Sequence, residues 1–548
     1  MNRQKAGVLG GVCLLALGAA PQIHSAQSAT ADNDRIVQRV LLISIDGMHA
    51  LDFANCTKGI PGVNNGQPYC PVLAELQESG ISYLAASTTK PSDSFPGLLS
   101  ELTGGTPRST GVFYDVSYDR SLSPPRVTTV YGVKSGPCPQ QKGTITEYDE
   151  SIDYDLTKLD GGGGIDPDYL PRDPNNGCKP VYPHTFVRVN TIFEVIKANG
   201  GYTAWSDKHR AYDLVNGHDG NGVDDLYTPE VNSNVVPLKS VGCDPLPDKN
   251  PKVTDWTTSF ADIRCYDALK VEAVLNWIQG KTHDGRRIGR VPTIFGMNFQ
   301  AVSVGEKLVE AGVRGGYTDA LGTPTGNLLA EIQFVDGSIG RMVNTLKSEG
   351  LFGETLIIIT AKHGQSPIDY NRLLRIPADD PSKNPPSTIV MNVLGANSVV
   401  NADEDDISML WLANQSQTGD AVKLLEANEN EAGIGEIFAG NSLDLLFNSP
   451  AYDPRTPDII VQPNVGVVYT GGKKKIAEHG GFAHDDRNVM LLVSNPNFLA
   501  NTVTTAVETT QIAPTILTAL GLNPELLEAV HKEYTRILPG LPSLTIQQ

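Results

Sequence analysis

Residues 87–112 read STTKPSDSFPGLLSELTGGTPRSTGV. Ser87, Thr88 and Thr89 close an extended segment that begins at Ile81. Pro96 suits the first turn of a helix, where its missing N–H costs nothing. Leu98, Leu99 and Leu102 then fall on one helical face, and Gly104-Gly105 supplies a C-terminal stop. Ser94, two residues before the proline, therefore stands where a strand feeds a helix N-terminus. Backbone N–H groups and the positive end of the helix dipole favour an anion there. That suits an alkoxide nucleophile, although a serine in this place also serves as an ordinary N-cap. The rest of the chain decides between the two.

Strand-like apolar runs recur on both sides of this stretch, at 40–45, 202–205, 293–297, 355–360, 459–462 and 489–493. Helical patterns bound several of them, at 190–199, 328–348 and 510–520. Continuous apolar strands alternating with helices predict a largely parallel sheet covered on both faces, an α/β/α sandwich. Ligands in such folds bind beyond the carboxyl ends of the strands. The 548 residues would allow two to four domains on length alone, but no low-complexity linker or internal repeat divides them. We therefore expect one catalytic domain over 30–548, with insertions at about 117–183 and 385–457. The first is rich in Gly, Pro and Asp and reads as loops over the active face; the second carries its own helices and reads as a small cap.

Residues 1–29 have the form of a secretory signal: Arg3 and Lys5, an apolar run from Ala6 to Ala20, and small residues for cleavage at Ala26 or Ala29. No run reaches the roughly 20 apolar residues of a membrane span, so a soluble chain in the periplasm or outside the cell is expected. Beyond Cys13 there are Cys56, Cys70, Cys138, Cys178, Cys243 and Cys265, with no Cys-x-x-Cys pair. An even number in an oxidising compartment reads as disulfides. Fifteen pairings are open in principle. The sequential one is favoured, because each pair brackets a Gly/Pro/Asn-rich loop. With 43 basic and 62 acidic residues the net charge is −19, which argues against duplex nucleic acid and anionic membrane as partners.

Polar residues appear at the strand ends. The 40–45 strand runs into Asp46-Gly47-Met48-His49, a metal-ligand position or a helix N-cap. The 355–360 strand runs into Ala361-Lys362-His363-Gly364, and His479-Gly480-Gly481 with His484, Asp485 and Asp486 precedes 489–493. Asp207-Lys208-His209 follows 202–205, at the same ligand-binding edge. Their shared position makes them a candidate constellation of metal-binding, nucleophilic and substrate-binding groups. Lys473, Lys474 and Lys475 read as a solvated hairpin or as phosphate ligands; the acidic run Glu147 to Asp155 reads as a solvated loop or a calcium loop.

These residues resemble the motifs of the alkaline phosphatase superfamily, within it the type I phosphodiesterase/nucleotide pyrophosphatase branch. Ile43-Ser44-Ile45-Asp46-Gly47 looks like its first metal-binding strand. Ser94-Phe95-Pro96, with Ser100, Thr103-Gly104, Pro107 and Gly111, follows the spacing of its nucleophile helix, with Ser for the usual Thr. Thr360-Ala361-Lys362-His363-Gly364 resembles its Thr-x-Asp-His-Gly motif, and His479-Gly480 its last His-Gly ligand. The resemblance implies two divalent ions, typically zinc, and a covalent phospho-enzyme. It places Asp46, Ser94 and His363 at the first metal and His479 at the second. Three departures stand out. Lys362 replaces a ligand carboxylate, Gln300 and Val304 occupy the places of the second metal's Asp-x-x-x-His, and Gly97 stands for the oxyanion-binding Asn. Leu98, where a sulfatase signature needs Arg, disfavours that branch.

The expected function is hydrolysis of a small-molecule phosphoric ester, diester over monoester, with Ser94 as nucleophile and at most one divalent ion, zinc, remaining. Gly97, Asp207, Lys208, His209, Gln300 and Asp486 are the expected substrate-binding residues. Lys362 is expected to turn inward and pair with Asp46 or the substrate phosphate, taking over work a metal does elsewhere. The alternatives are a phosphomonoesterase, or a non-catalytic ligand-binding relative that has lost its metals.

Overall fold

The computed structural model describes residues 37–233, 255–471 and 475–542. Its central sheet has eight strands: β1 (Arg39–Ile45), β2 (Gly80–Tyr83), β3 (Ala204–Ser206), β4 (Asp225–Tyr227), β5 (Ile294–Phe299), β6 (Thr355–Thr360), β7 (Leu492–Ser494) and β8 (Asn501–Val503). Their spatial order is β8-β2-β7-β6-β1-β5-β3-β4. Every pairing is parallel except those of β7, which runs against β6 and β2.

Apolar residues on both sides of the pleat force this sandwich. Val40 and Leu42 of β1 enter one core with Leu356 and Ile358 of β6, while Leu41, Ile43 and Ile45 enter the other with Ile357 and Ile359. The first face is covered by α2 (Ser94–Thr103), α3 (Ile192–Ala198) and α7 (Ile512–Ala519); the second by α1 (Ala50–Lys58), α4 (Phe260–Ile278), α5 (Ala301–Lys307) and α6 (Gly326–Ser348). A strand buried on both faces loses water from every side chain, so each apolar position contributes to burial.

The 459–462 run does not join this sheet. As Ile459–Pro463 it pairs antiparallel with Ser408–Leu412 and Ile434–Ala439 in a separate four-stranded sheet. A short apolar run carries no mark of which sheet it enters. In Ser408–Leu412, Leu410 and Leu412 pack into the cap's own core, while Met409 and Trp411 pack with Phe113, Tyr114 and Phe447 and fasten the cap to the main body. The 489–493 strand also shifts: Val489 bridges to His49, and the strand proper begins at Leu492.

Cys56–Cys70 and Cys138–Cys178 are disulfides. Cys265 is disulfide-bonded as well; Cys243, residues 1–29, Lys473 and Lys474 lie outside the described residues. No helix among the described residues is long and apolar enough to cross a membrane.

Candidate active site

Because β1, β5, β6 and β3 are parallel neighbours, their carboxyl ends deliver Asp46, Asn298 with Gln300, Lys362 with His363, and Asp207 with Lys208 to one edge. The N-terminus of α2 is aimed at the same place. Asp93 is its N-cap, accepting from the Phe95 N–H at 3.1 Å, and Ser94 is its first helical residue. All ten residues of α2 are buried, and Gly104 closes it in the left-handed conformation. The helix sits tight on the loop after β6: a Cβ at Gly97 would stand 2.3 Å from the Lys362 carbonyl oxygen. Thr88 donates to that same carbonyl at 2.6 Å.

Ser94 Oγ lies 3.3 Å from His363 Nε2. The other ring nitrogen, Nδ1, is 2.9 Å from the Gly364 carbonyl, which can only accept. Nδ1 therefore carries the proton, and Nε2 of the neutral ring turns its lone pair toward Ser94. Burial, then the stacked His479 ring at 3.8 Å, holds His363 well below the usual imidazole range. Burial and Lys307 push His479 down to about 3. Both rings are neutral at physiological pH.

Asp46 is the hub. Its Oδ2 accepts from Gln300 Nε2 at 2.5 Å and Asn298 Nδ2 at 3.2 Å, and lies 3.4 Å from Lys362 Nζ and 3.8 Å from His363 Nε2. Its Oδ1 is buried without a hydrogen-bond partner. Burial pushes the carboxyl up, but Lys362, His363 and Lys208 outweigh it and hold it well below the usual carboxylate range. Lys362 is fully buried; it also lies 3.5 Å from Asp207 Oδ1 and donates to the Tyr212 hydroxyl at 3.1 Å.

Two further lysines face the centre. The Lys208 ammonium makes no hydrogen bond or ion pair among the described residues, only a contact 5.9 Å above the Tyr212 ring. Burial opposes its charge, but Asp46, Asp115, Glu150 and Asp93 raise its pKa. Lys307, at the end of α5, feels Glu478, Lys208 and Asp46; burial and Lys475 lower its pKa. Lys475 is paired with Glu478 at 2.6 Å. Lys307, Tyr212 and Asn298 carry no sequence signal of their own: they sit on an ordinary helix, a 3-10 turn and a strand.

A scan against family models matches the type I phosphodiesterase/nucleotide pyrophosphatase family over residues 40–136 and 310–485. Among solved structures, murine ectonucleotide pyrophosphatase/phosphodiesterase 5 aligns at 14% identity with TM-score 0.51, covering 89% of this chain and 96% of its own. The same murine protein has been solved as an inactive variant in complex with AMP. Alkaline phosphatase PafA aligns at 12% identity with TM-score 0.55, with the same coverages. The chain belongs to the alkaline phosphatase superfamily. No curated protein matches it by sequence.

The superfamily's metals meet an altered donor set here. At the second site Val304 has no donor and the Gln300 amide is spent on Asp46. That set does not fit a metal ion. At the first, His363 Nε2 lies 3.3 Å from Ser94 Oγ and 3.8 Å from Asp46 Oδ2, and Asp46 Oδ1 makes no hydrogen bond among the described residues; these oxygen and nitrogen donors, beside the Lys362 ammonium, fit one ion.

The other expected residues are distributed as follows. Asp207 is buried and holds Lys362 and the Trp205 indole N–H at 3.2 Å. His209 packs on Phe95 and Tyr212, its pKa driven well down by burial, Lys208 and Lys362. Asp486 is fully buried against Asp406, and its carbonyl accepts from the Gly364 N–H at 2.6 Å. The 147–155 run is not wholly solvated, since Glu147 and Asp153 are buried. A different buried group stands behind Asp46-Gly47. His49 Nδ1 lies 2.9 Å from Asp52, 3.2 Å from Glu306 and 2.9 Å from the Tyr317 hydroxyl. The spacing of three between His49, which caps α1, and Asp52 in its first turn is its only sequence trace.

Proposed function

We propose that this protein is an exported hydrolase of small phosphoric esters, with diesters preferred, in which Ser94 is the nucleophile. The observation that carries the reading is the 3.3 Å approach of Ser94 Oγ to the unprotonated Nε2 of a neutral His363 at a buried helix N-terminus. Ser94 passes its proton toward Nε2 as Oγ attacks phosphorus; the bond from phosphorus to one ester oxygen breaks and that alcohol leaves, and water then cleaves the Ser94 Oγ–phosphorus bond to release a phosphomonoester. Lys208, with no hydrogen-bond or ion-pair partner among the described residues, and Lys362, shared between Asp46 and Asp207, present positive charge to the phosphoryl oxygens. A single divalent ion of the zinc class held by Asp46, Ser94 and His363 would take the Nε2 lone pair, and would then itself lower the Ser94 pKa in place of that proton transfer and polarise the phosphoryl group.

The charge at the centre favours a diester. The lysines share the centre with Asp93, Asp115 and Glu150, so one substrate charge is accommodated better than two. His479, at about 3, is deprotonated and cannot donate a proton to the leaving group. Good leaving groups are therefore preferred: aryl oxides and nucleotide phosphates, the latter in line with the AMP complex of the murine structure.

The test is turnover of bis-aryl against mono-aryl phosphates, with and without added divalent metal, for the parent and Ser94→Ala. We expect faster diester turnover, lost by at least a thousandfold in Ser94→Ala. A variant within tenfold of the parent overturns the nucleophile assignment, and no turnover of either substrate by the parent favours a non-catalytic binding relative.

A further inference from the structure

The turn from β5 into α5 carries both carboxamides that hold Asp46, those of Asn298 and Gln300. A charged pair on α4 holds that turn. Asp267 and Lys270 stand three residues apart on this helix, and both are fully buried. Asp267 Oδ2 accepts from the Gln300 and Ala301 N–H groups, each at 2.8 Å. Lys270 Nζ lies 2.9 Å from Asp267 Oδ1 and donates to the Asn298 carbonyl at 2.6 Å. One turn of α4 thereby fixes the backbone on both sides of Phe299.

The first N–H groups of a helix are ordinarily satisfied by a local Ser, Thr, Asp or Asn. Gln300, the N-cap of α5, makes no such bond with its own side chain, whose amide is committed to Asp46. The cap comes instead from Asp267, 33 and 34 residues earlier in the chain, and leaves the Gln300 side chain to the centre. A cap alone does not call for Lys270, because burying its ammonium carries a large desolvation cost. What Lys270 adds is a bond to the residue whose side chain is the second donor to Asp46. The pair thus reaches both donors, Gln300 through Asp267 and Asn298 through Lys270.

We propose that Asp267 and Lys270 are positioning residues of the Asp46 centre, an inference that rests on that centre being the reactive one. By fixing the backbone of Asn298 and Gln300 they keep both carboxamides on Asp46 Oδ2. Oδ1, which has no hydrogen-bond partner among the described residues, is then the one carboxylate oxygen left for a divalent ion. Hydrogen-bond donors behind a ligating carboxylate orient it, and their loss typically weakens metal binding by about 10–100-fold. Without the clamp, Asp46 is free to turn either oxygen to Lys362, 3.4 Å away.

The test uses the full mature chain, stripped with EDTA and titrated with zinc in a calorimeter, with Asp46→Asn marking any zinc bound elsewhere. Asn298→Ala/Gln300→Ala, which keeps every backbone bond to α4, is expected to lose at least about tenfold in affinity. Asp267→Asn/Lys270→Met, which removes the pair without stranding a charge, is expected to lose as much. All four changes together should lose no more than about threefold beyond the carboxamide variant, because the α4 pair acts through those side chains. A pair serving only as a helix cap would lower the unfolding midpoint in both backgrounds and leave zinc affinity unchanged. Affinity within threefold of the parent in either double variant overturns the proposal. So do losses that multiply in the fourfold variant, or a parent that binds no zinc at Asp46. The carboxamide variant decides even where the α4 variant fails to fold. These titrations need no turnover, so failure of the nucleophile assignment, read from Ser94→Ala, is distinguished from failure here.

Discussion

Replacing Lys362 by Met removes the one positive charge that lies between two buried carboxylates. The ammonium is 3.4 Å from Asp46 and 3.5 Å from Asp207, with no exposure to water. At an effective dielectric of about 20, each attraction is worth about 5 kcal/mol before desolvation is subtracted. Removing one partner of such a buried pair typically costs about 3–5 kcal/mol, because the other charge is left uncompensated. We expect Lys362→Met to lose that amount in urea unfolding and to keep its fold, since both cores beside the sheet are untouched. Turnover should fall by at least a hundredfold, and affinity for added zinc should rise as Asp46 becomes free to ligate. The double variant Lys362→Met/Asp207→Asn should recover about 1–3 kcal/mol relative to additivity, because it deletes one of the two stranded carboxylates. A Lys362→Met protein within 1 kcal/mol of the parent and fully active would refute the role of this charge, and strictly additive stabilities in the double variant would refute the pairing with Asp207.

Gly97→Asn, which restores the superfamily's usual residue, should cost about 1–3 kcal/mol, since its Cβ must displace the Lys362 carbonyl from 2.3 Å; unfolding midpoints check this, and an unchanged midpoint counts against the close approach. Stability should rise as pH falls from about 8 to 4.5. Asp115, Asp149, Glu150, Asp153 and Glu306 are raised to about 7, chiefly by burial, so the folded state binds more protons than the unfolded state across that window. Below about 6.5 the gain should slow, because His363, His209 and His479 are held neutral by burial and charge only on unfolding, offsetting part of the carboxyl contribution. A stability maximum above pH 8 would contradict these directions. Non-reducing peptide mapping should show Cys56–Cys70 and Cys138–Cys178, each worth about 2–4 kcal/mol by restricting the unfolded chain.

Local order made much of the fold legible. The apolar runs of β1 and β6 can be buried only in a sheet covered on both faces, and Asp46 and His363 follow them directly in the chain. Ser94 is likewise local, set by Asp93 before it and Gly104 after its helix. Side-chain chemistry across the sheet edge was not local. Whether Lys362 points into the centre depends on Asp207 and Tyr212, 155 and 150 residues away along the chain, and on the bare backbone at Gly97. Lys307 feels Lys208 and Asp46 only through the place where α5 ends, and the 459–462 run entered the cap because its partners lie in the insertion. Asp486 turned from the nucleophile toward Asp406 for the same reason: the cap tip reaches it only in three dimensions. Periodicity and capping act within a few residues and can be read along the chain; charge pairing and burial depend on distances through space, which only the packed structure sets.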